Sequence, residues 1–412
     1  MSRTEIIAGI DLGSRYIRCI VAEASENSSI NILGIGKAVS KGIRQGVIIN
    51  IEDAYRSILE AVQEAEHIVG FKLKNVYVGL GSKFVAVQFE PGSVAITSQE
   101  KIITENDIRK VKDSARSVAK IPQYNLIQIV PCGYTVDGFF AGIKEPVNMS
   151  GLRLELNAMI VTAMETYISN ISKAIDEAGL EIDYDGFVLG SYCSSLSTLS
   201  EEMKDLGVLL MDIGSETTNV IIYRNKRVTF YRFFPFGGEN LTRDISNIFG
   251  IKPNEAERLK ITKGIACADL IEEDEELYGD SITSNTPIKI LKEELAQVIE
   301  MRMNQILGRI KQELNVYLSK NPIGAIVLTG GTSNLNGIET CVGRLFDRHV
   351  RIGKIIDPKG LSEELAQTEN SMLMGLVLHG ASKSERKTDK PPSKSKFSDF
   401  WDKVLQIGKD IF

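Results

Sequence analysis

Gly9-Ile10-Asp11-Leu12-Gly13-Ser14 follows an apolar run and leads into Tyr16-Ile17-Arg18-Cys19-Ile20-Val21. The pattern predicts two short strands joined by a tight turn, with Asp11 at the end of the first strand and Gly13 and Ser14 in the bend. The same design returns at Leu209-Leu210-Met211-Asp212-Ile213-Gly214-Ser215, followed by Thr217-Thr218-Asn219-Val220-Ile221-Ile222-Tyr223. The two aspartates are 201 residues apart.

These residue types suit a nucleoside triphosphate. Glycine lets backbone N–H groups approach phosphate oxygens with no Cβ in the way. Serine adds a hydroxyl, and an aspartate at a strand end can hold the hydration shell of Mg²⁺, which keeps several waters. Two such hairpins facing each other would grip one phosphate chain from both sides. A single copy reads equally well as a tight turn that uses Asp and Gly for their backbone angles. A third feature is therefore needed. Ile326-Val327-Leu328-Thr329-Gly330-Gly331-Thr332-Ser333 is an apolar strand ending in a Gly-Gly turn before a helix at 337–346. Bare backbone there would let a flat nucleoside lie close, although alone this too is a simple strand-to-helix turn.

The 412 residues are 43% hydrophobic and 25% charged, a composition that predicts a globular protein of two to four domains. A net charge of −6 argues against nonspecific nucleic-acid binding. Cys19, Cys132, Cys193, Cys267 and Cys341 are scattered, without a Cys-x-x-Cys pair, so neither a disulfide framework nor a zinc site is expected and a reducing cytoplasm is. His67, His349 and His379 have no ligand spacing. The chain enters a strand almost at once, which leaves no room for a signal peptide. No apolar run approaches the roughly 20 residues that span a bilayer.

Residues 30–36, 42–46 and 47–49 read as further strands of the first sheet, 52–69 as an amphipathic helix, and 76–80 as a buried strand. From 84 to 162 the character changes. Strand-like pieces at 85–89, 92–96, 126–130 and 152–161 surround a polar helix at 105–119, an inserted α+β subdomain. A helix at 165–179, a strand at 185–189 and a small-residue helix at 191–203 precede the second hairpin. Strand 228–234, Pro235-Phe236-Gly237-Gly238-Glu239-Asn240 and helices at 241–249, 253–264 and 290–318 follow, with a solvated acidic loop at 272–276. The expected organisation is a first core of 1–83, 163–204 and 366–381, the insertion 84–162, a second core of 205–240 and 305–365, and a subdomain 241–304. A disordered linker at 382–396 carries six basic and two acidic residues.

In the segment 397–412, Phe397, Phe400, Trp401, Val404, Leu405, Ile411 and Phe412 recur at helical spacing on one face. That face must be buried against a membrane interface, a partner groove or the body itself. The basic linker favours an anionic membrane, where each Lys or Arg contributes about 1 kcal/mol. One such helix binds about as weakly as a single lipid chain, so stable attachment takes several tails acting together, which points to self-association.

Taken in this order, the three nucleotide features resemble the actin-like ATPase superfamily, and within it the chain is similar to the bacterial cell-division FtsA family. The resemblance covers nearly the whole body, through the Asp-x-Gly-Ser-x-x-Ile start, residues 42–51, the insertion, Phe236-Gly237-Gly238 and Val327-Leu328-Thr329-Gly330-Gly331, and extends to the linker and terminal helix. It implies an α/β, two-domain actin-like fold of duplicated ribonuclease-H-like sheets with ATP in the central cleft. It also implies polymerisation, binding of the FtsZ C-terminal tail, contact with other division proteins, and tethering of the division ring at the cytoplasmic face of the membrane. By this resemblance Asp11 and Asp212 sit near Mg²⁺. Gly13, Ser14, Arg15 and Tyr16 meet phosphates from one side, and Gly214, Ser215, Thr217 and Thr218 from the other. Gly237, Gly238, Gly330 and Gly331 frame the nucleoside. Glu257 and Lys260 resemble a Glu-x-x-Lys that contacts ribose and base; a solvated i,i+3 charge pair is the other reading. Residues 295–302 look like family sequence in the subdomain that receives the FtsZ tail, which makes Arg302 the candidate for an acidic partner. Several hydrolysing relatives place an acidic residue or Gln near Gly190-Ser191. Leu189-Gly190-Ser191-Tyr192 has none, so slow or negligible hydrolysis is expected. A small-molecule kinase of the same fold would need a catalytic aspartate that is not evident, and the related pilus-assembly protein PilM would not be expected to carry the terminal amphipathic helix.

Overall fold

Three consecutive β-rich runs set the first sheet. Strands β1 (Thr4–Leu12), β2 (Tyr16–Ser25) and β3 (Ile30–Val39) form an antiparallel meander. From Ile7 onward every residue of β1 is buried, which is why this strand reads as an unbroken apolar run. Strand β4 (Asn75–Leu80) joins β1 in parallel and places Gly79 beside Asp11, and β5 (Glu181–Leu189) lies beyond it, in the order β5-β4-β1-β2-β3. This computed structural model describes residues 4–25, 29–118, 121–356 and 366–387.

The second half repeats the arrangement. Strands β6 (Val208–Ile213), β7 (Thr218–Arg224), β8 (Arg227–Phe234), β9 (Ala325–Thr329) and β10 (His349–Ile352) make a sheet of order β8-β7-β6-β9-β10. Both sheets thus have a parallel strand on one side of the first strand and a meander on the other. Each Asp-x-Gly-Ser turn joins the first two strands of its sheet.

Helices cover both faces. α1 (Ile51–Val69) is capped by Asn50, whose side chain accepts from the Asp53 N–H at 3.2 Å, and it ends at Gly70 with φ +80°. With α2 (Glu165–Glu177) it packs on one face of the first sheet. α3 (Gly190–Thr198) sits on the other face beside a final helix, Ser371–Lys387. Their approach depends on Gly375, where a Cβ would lie 1.9 Å from the Cys193 carbonyl oxygen. In the second lobe α4 (Gly238–Phe249), α5 (Pro253–Lys263), α6 (Lys292–Lys320) and α7 (Ile338–Phe346) surround a core that includes Leu209, Met211, Leu241, Ile299 and Leu328. The insertion is a four-stranded sheet, Val85–Ala95, Arg153–Met164, Tyr124–Val136 and Phe140–Ile143 in spatial order, with Glu105–Val118 packed on it.

Several local expectations change. Residues 42–49 do not extend the first sheet; Ile43–Arg44 and Val47–Ile48 form a separate ribbon turned by Gly42 and Gly46, both at positive φ. The pieces 85–89 and 92–96 form one strand through Pro91-Gly92, tolerated because this strand is at the sheet edge. The small-residue helix breaks at Leu199-Ser200, and Ser200 caps a second helix, Glu201–Leu206, with its hydroxyl accepting from Met203 N at 3.3 Å. Residues 290 and 291 belong to strand Ile288–Leu291, which pairs with Glu276–Gly279. The final helix runs to Lys387, six residues into the expected linker, because 382–387 contain no glycine or proline to stop it. The rest of that linker and the segment 397–412, with Phe397, Phe400, Trp401, Val404, Leu405, Ile411 and Phe412, lie outside the described residues. All five cysteines are free and buried.

Candidate functional site

The turns of the two repeated hairpins meet at a cleft of about 390 Å³ between the lobes, within the roughly 300–1,000 Å³ of small-molecule sites. Asp11, Gly13, Ser14, Arg15 and Tyr16 line it from the first lobe, Asp212, Gly214, Ser215 and Thr217 from the second. Gly330 and Gly331 form a third wall.

The two aspartates sit where their strands end, Asp11 buried and Asp212 half-buried. Burial pushes the Asp11 carboxyl up to about 6; Arg18 opposes this and the Asp212 carboxylate adds to it. Burial also raises Asp212, against a 2.8 Å hydrogen bond from Ser194 Oγ. Two carboxylates that desolvation makes costly to ionise, with the Asp212 charge further raising Asp11, are a place for a cation.

The backbone around them needs glycine. Gly330 has φ +85° and ψ 163°, and a Cβ there would lie 2.5 Å from Asp212 Oδ1. At Gly331 no atom lies within 4 Å of the Cβ position, so its backbone faces open cleft. Gly214 and Ser215 are fixed from behind, where their carbonyls accept from Gly238 N at 3.0 Å and Glu239 N at 2.7 Å. Gly237 and Gly238 therefore buttress the second turn and do not line the cleft. Thr218 is likewise turned away; it is fully buried, and its hydroxyl donates to the Phe236 carbonyl at 2.8 Å.

Glu257 and Lys260 are not a solvated pair. Both are buried, Lys260 Nζ donates to Glu257 Oε2 at 2.6 Å, to Thr242 Oγ1 at 2.9 Å and to Gly238 O at 3.1 Å, and Thr242 Oγ1 donates to Glu257 Oε2. Burial lowers the Lys260 pKa, with Glu257 opposing. Arg15 of the first turn reaches across the cleft to Glu257 at 3.3 Å, while its Nε is buried without a partner. Ser191 Oγ, at the start of α3, is a second unpartnered buried polar atom in the cleft. Arg302 lies on α6, held by Asp244 through two hydrogen bonds, one of them Nη2 to Oδ1 at 2.8 Å.

Sequence reading missed several lining residues. Arg18 pairs with Glu369 at 2.9 Å and lies 3.8 Å from Asp11. Asn334 Nδ2 donates to Glu369 Oε2 at 3.1 Å. Lys37 Nζ sits 4.1 Å from the centre of the Tyr16 ring, with the Arg15 and Arg18 guanidiniums at 5.5 and 5.6 Å. Glu216 and Thr332 also line the cleft. An arginine inside the apolar run 16–21 was a readable signal for Arg18; nothing local marks Glu369.

Comparison with known proteins agrees with this architecture. The model for cell division protein FtsA matches residues 209–375, the model for the SHS2 domain inserted in FTSA residues 84–162, and the model for type IV pilus assembly protein PilM residues 146–269. The cell division protein FtsA of Borreliella burgdorferi is 33% identical over 381 residues, covering 92% of this chain and 91% of that one. Among solved structures, the PilM–PilN type IV pilus biogenesis complex aligns with TM-score 0.66 at 16% identity, over 91% of this chain and 98% of that one. MreB5 of Spiroplasma citri bound to ADP aligns with TM-score 0.51 at 15% identity, over 94% and 99%. At these identities the structures speak for the fold, which is actin-like with an SHS2 insertion.

Proposed function

This chain belongs to the FtsA family of cell-division proteins, and from that premise we propose that it binds ATP with Mg²⁺ in the interlobe cleft, polymerises, and tethers the FtsZ ring to the cytoplasmic face of the cell membrane. The observation that carries the nucleotide reading is the pair of repeated turns, each beside a carboxylate whose pKa desolvation raises, facing one another across the cleft.

The residues fit the ligand. Ser191 Oγ and Arg15 Nε are buried polar atoms in need of partners, and the bare backbone of Gly331 offers close approach. No group of three or more acidic, histidine or cysteine side chains suited to a metal occurs among the described residues. Mg²⁺ would be held by Asp11 and Asp212 through water and by phosphates. When bound, Mg²⁺ supplies the positive charge that lets both carboxylates and the phosphates share one site. Ser14, Ser215 and Thr217 present hydroxyls and amides to the phosphates, and Gly330-Gly331 and Glu257 take the nucleoside side. The start of α3, Gly190-Ser191-Tyr192, carries no carboxylate or Gln to position water, which supports the reading of slow turnover. The cleft then sets the shape and assembly state of an anchor. Anchoring itself is read from the amphipathic spacing of 397–412 and the basic stretch before it.

Co-sedimentation with phosphatidylglycerol-containing vesicles tests this reading, using the full chain and a chain ending at 396, with and without MgATP. The full chain should pellet and the shortened one should not. Equal pelleting of both refutes the anchor. Asp212→Ala should sharply reduce MgATP binding, and unchanged affinity refutes the cleft assignment.

A further inference from the structure

Of the five carboxylates lining the cleft, four have cationic or side-chain partners. Asp11 faces Arg18 at 3.8 Å, Asp212 accepts from Ser194 at 2.8 Å, Glu257 pairs with Lys260 at 2.6 Å, and Glu369 pairs with Arg18 at 2.9 Å. Glu216 differs. It stands at the tip of the second turn, between Ser215 and Thr217, and its Oε2 accepts a 2.6 Å hydrogen bond from the Gln45 backbone N–H of the opposite lobe. No cation forms an ion pair with it among the described residues.

The receiving side has the form of an anion seat. Gln45 and Gly46 are consecutive residues at φ +50° and +72°. Consecutive residues in helical geometry turn their N–H groups to one side, an arrangement that attracts anions. The Gly46 N–H is directed to Ser14 Oγ at 3.4 Å, and the Gln45 side chain ties the same loop to the Pro235 carbonyl at 3.2 Å. Glu216 thus closes the phosphate side of the cleft from lobe to lobe, and its own carboxylate fills a seat that suits a phosphate.

We propose that Glu216 is a specificity-determining residue that makes the cleft discriminate a nucleoside diphosphate from a triphosphate. This rests on the nucleotide reading given above. A diphosphate ends short of the Glu216 turn and leaves the Glu216–Gln45 bond in place. A terminal third phosphate carries negative charge toward the same N–H groups. It must displace the Glu216 carboxylate, open the bridge between the lobes, and take the Gln45 amide itself. Glu216 therefore weakens triphosphate binding more than diphosphate binding, and couples the third phosphate to the relation between the lobes.

Calorimetric titration of the full-length protein with MgATP and MgADP tests this, in the wild type, Glu216→Ala and Glu216→Gln. Loss of a charge-assisted hydrogen bond and of a like-charge clash should raise ATP affinity about tenfold in Glu216→Ala and ADP affinity less than about threefold. Glu216→Gln keeps an acceptor but not the charge, and should give a smaller rise in the ATP-to-ADP ratio. Amide exchange at Gln45 in nucleotide-free protein should quicken in Glu216→Ala, which reads the bridge without any ligand. An unchanged ratio in both variants while both nucleotides bind, a fall in ATP affinity, or unaltered Gln45 exchange overturns the proposal and leaves the cleft reading standing. Failure of the wild type to bind either nucleotide overturns both.

Discussion

Asp11→Asn should make the ligand-free protein more stable at neutral pH while removing its response to MgATP. Asp11 is only 7% exposed, and its carboxyl is pushed from the ordinary 3.8 to about 6, first by burial and then by Asp212, against Arg18. A folded-state value above the unfolded one means that the folded protein holds the proton more tightly. The cost is absent below the unfolded value near 4, grows as pH rises toward 6, and is complete above it. A displacement of that size amounts to about 3 kcal/mol at pH 7.5 and about 1 kcal/mol at pH 4.5. Asparagine has the same shape and never ionises, and Arg18 keeps its 2.9 Å pair with Glu369. Urea denaturation of wild type and variant, without nucleotide or divalent cation, should show the variant ahead by up to about 3 kcal/mol at pH 7.5, with the gap closing on acidification. Saturating MgATP should reverse the order, since only the wild type gains the stabilisation of bound ligand. A variant less stable at pH 7.5, or a difference that does not change with pH, would refute the placement of Asp11 as a strained, cation-seeking carboxylate.

The adjacent glycines should separate folding from binding. Gly330→Ala forces a backbone region that costs about 1–3 kcal/mol and drives a Cβ to 2.5 Å from Asp212 Oδ1, so its thermal midpoint should fall. Gly331→Ala meets nothing within 4 Å and should keep the wild-type midpoint while weakening a fluorescent ATP analogue. Asp244 of α4 holds Arg302 of α6 in a two-bonded pair; Asp244→Ala should strengthen binding of an acidic FtsZ-tail peptide and Arg302→Ala should weaken it, measured by fluorescence anisotropy. Equal effects of the two substitutions would remove Arg302 from the partner surface.

Much of the fold was legible because it is locally encoded. Apolar runs interrupted by Asp-x-Gly-Ser predict hairpins, and both occur, between β1 and β2 and between β6 and β7. The insertion showed itself where strand-like pieces and a polar helix interrupt the first core. Boundaries failed where a neighbour decided the outcome. Pro91 stays within a strand because that strand is at the sheet edge, and residues 42–49 leave the sheet because two left-handed glycines turn them.

Sequence by itself determined the repeated phosphate-type turns, the Gly330-Gly331 turn and the amphipathic spacing of 397–412, since each is written in residues close along the chain. Only the tertiary structure decided that the Asp212 charge raises the Asp11 pKa across one cleft, that Glu257 and Lys260 are buried, that Arg15 crosses to Glu257, and that Arg18 joins Asp11 to Glu369. Periodicity records which side of an element is buried. It carries no record of which distant charge faces it, because that is set by how the two lobes pack together.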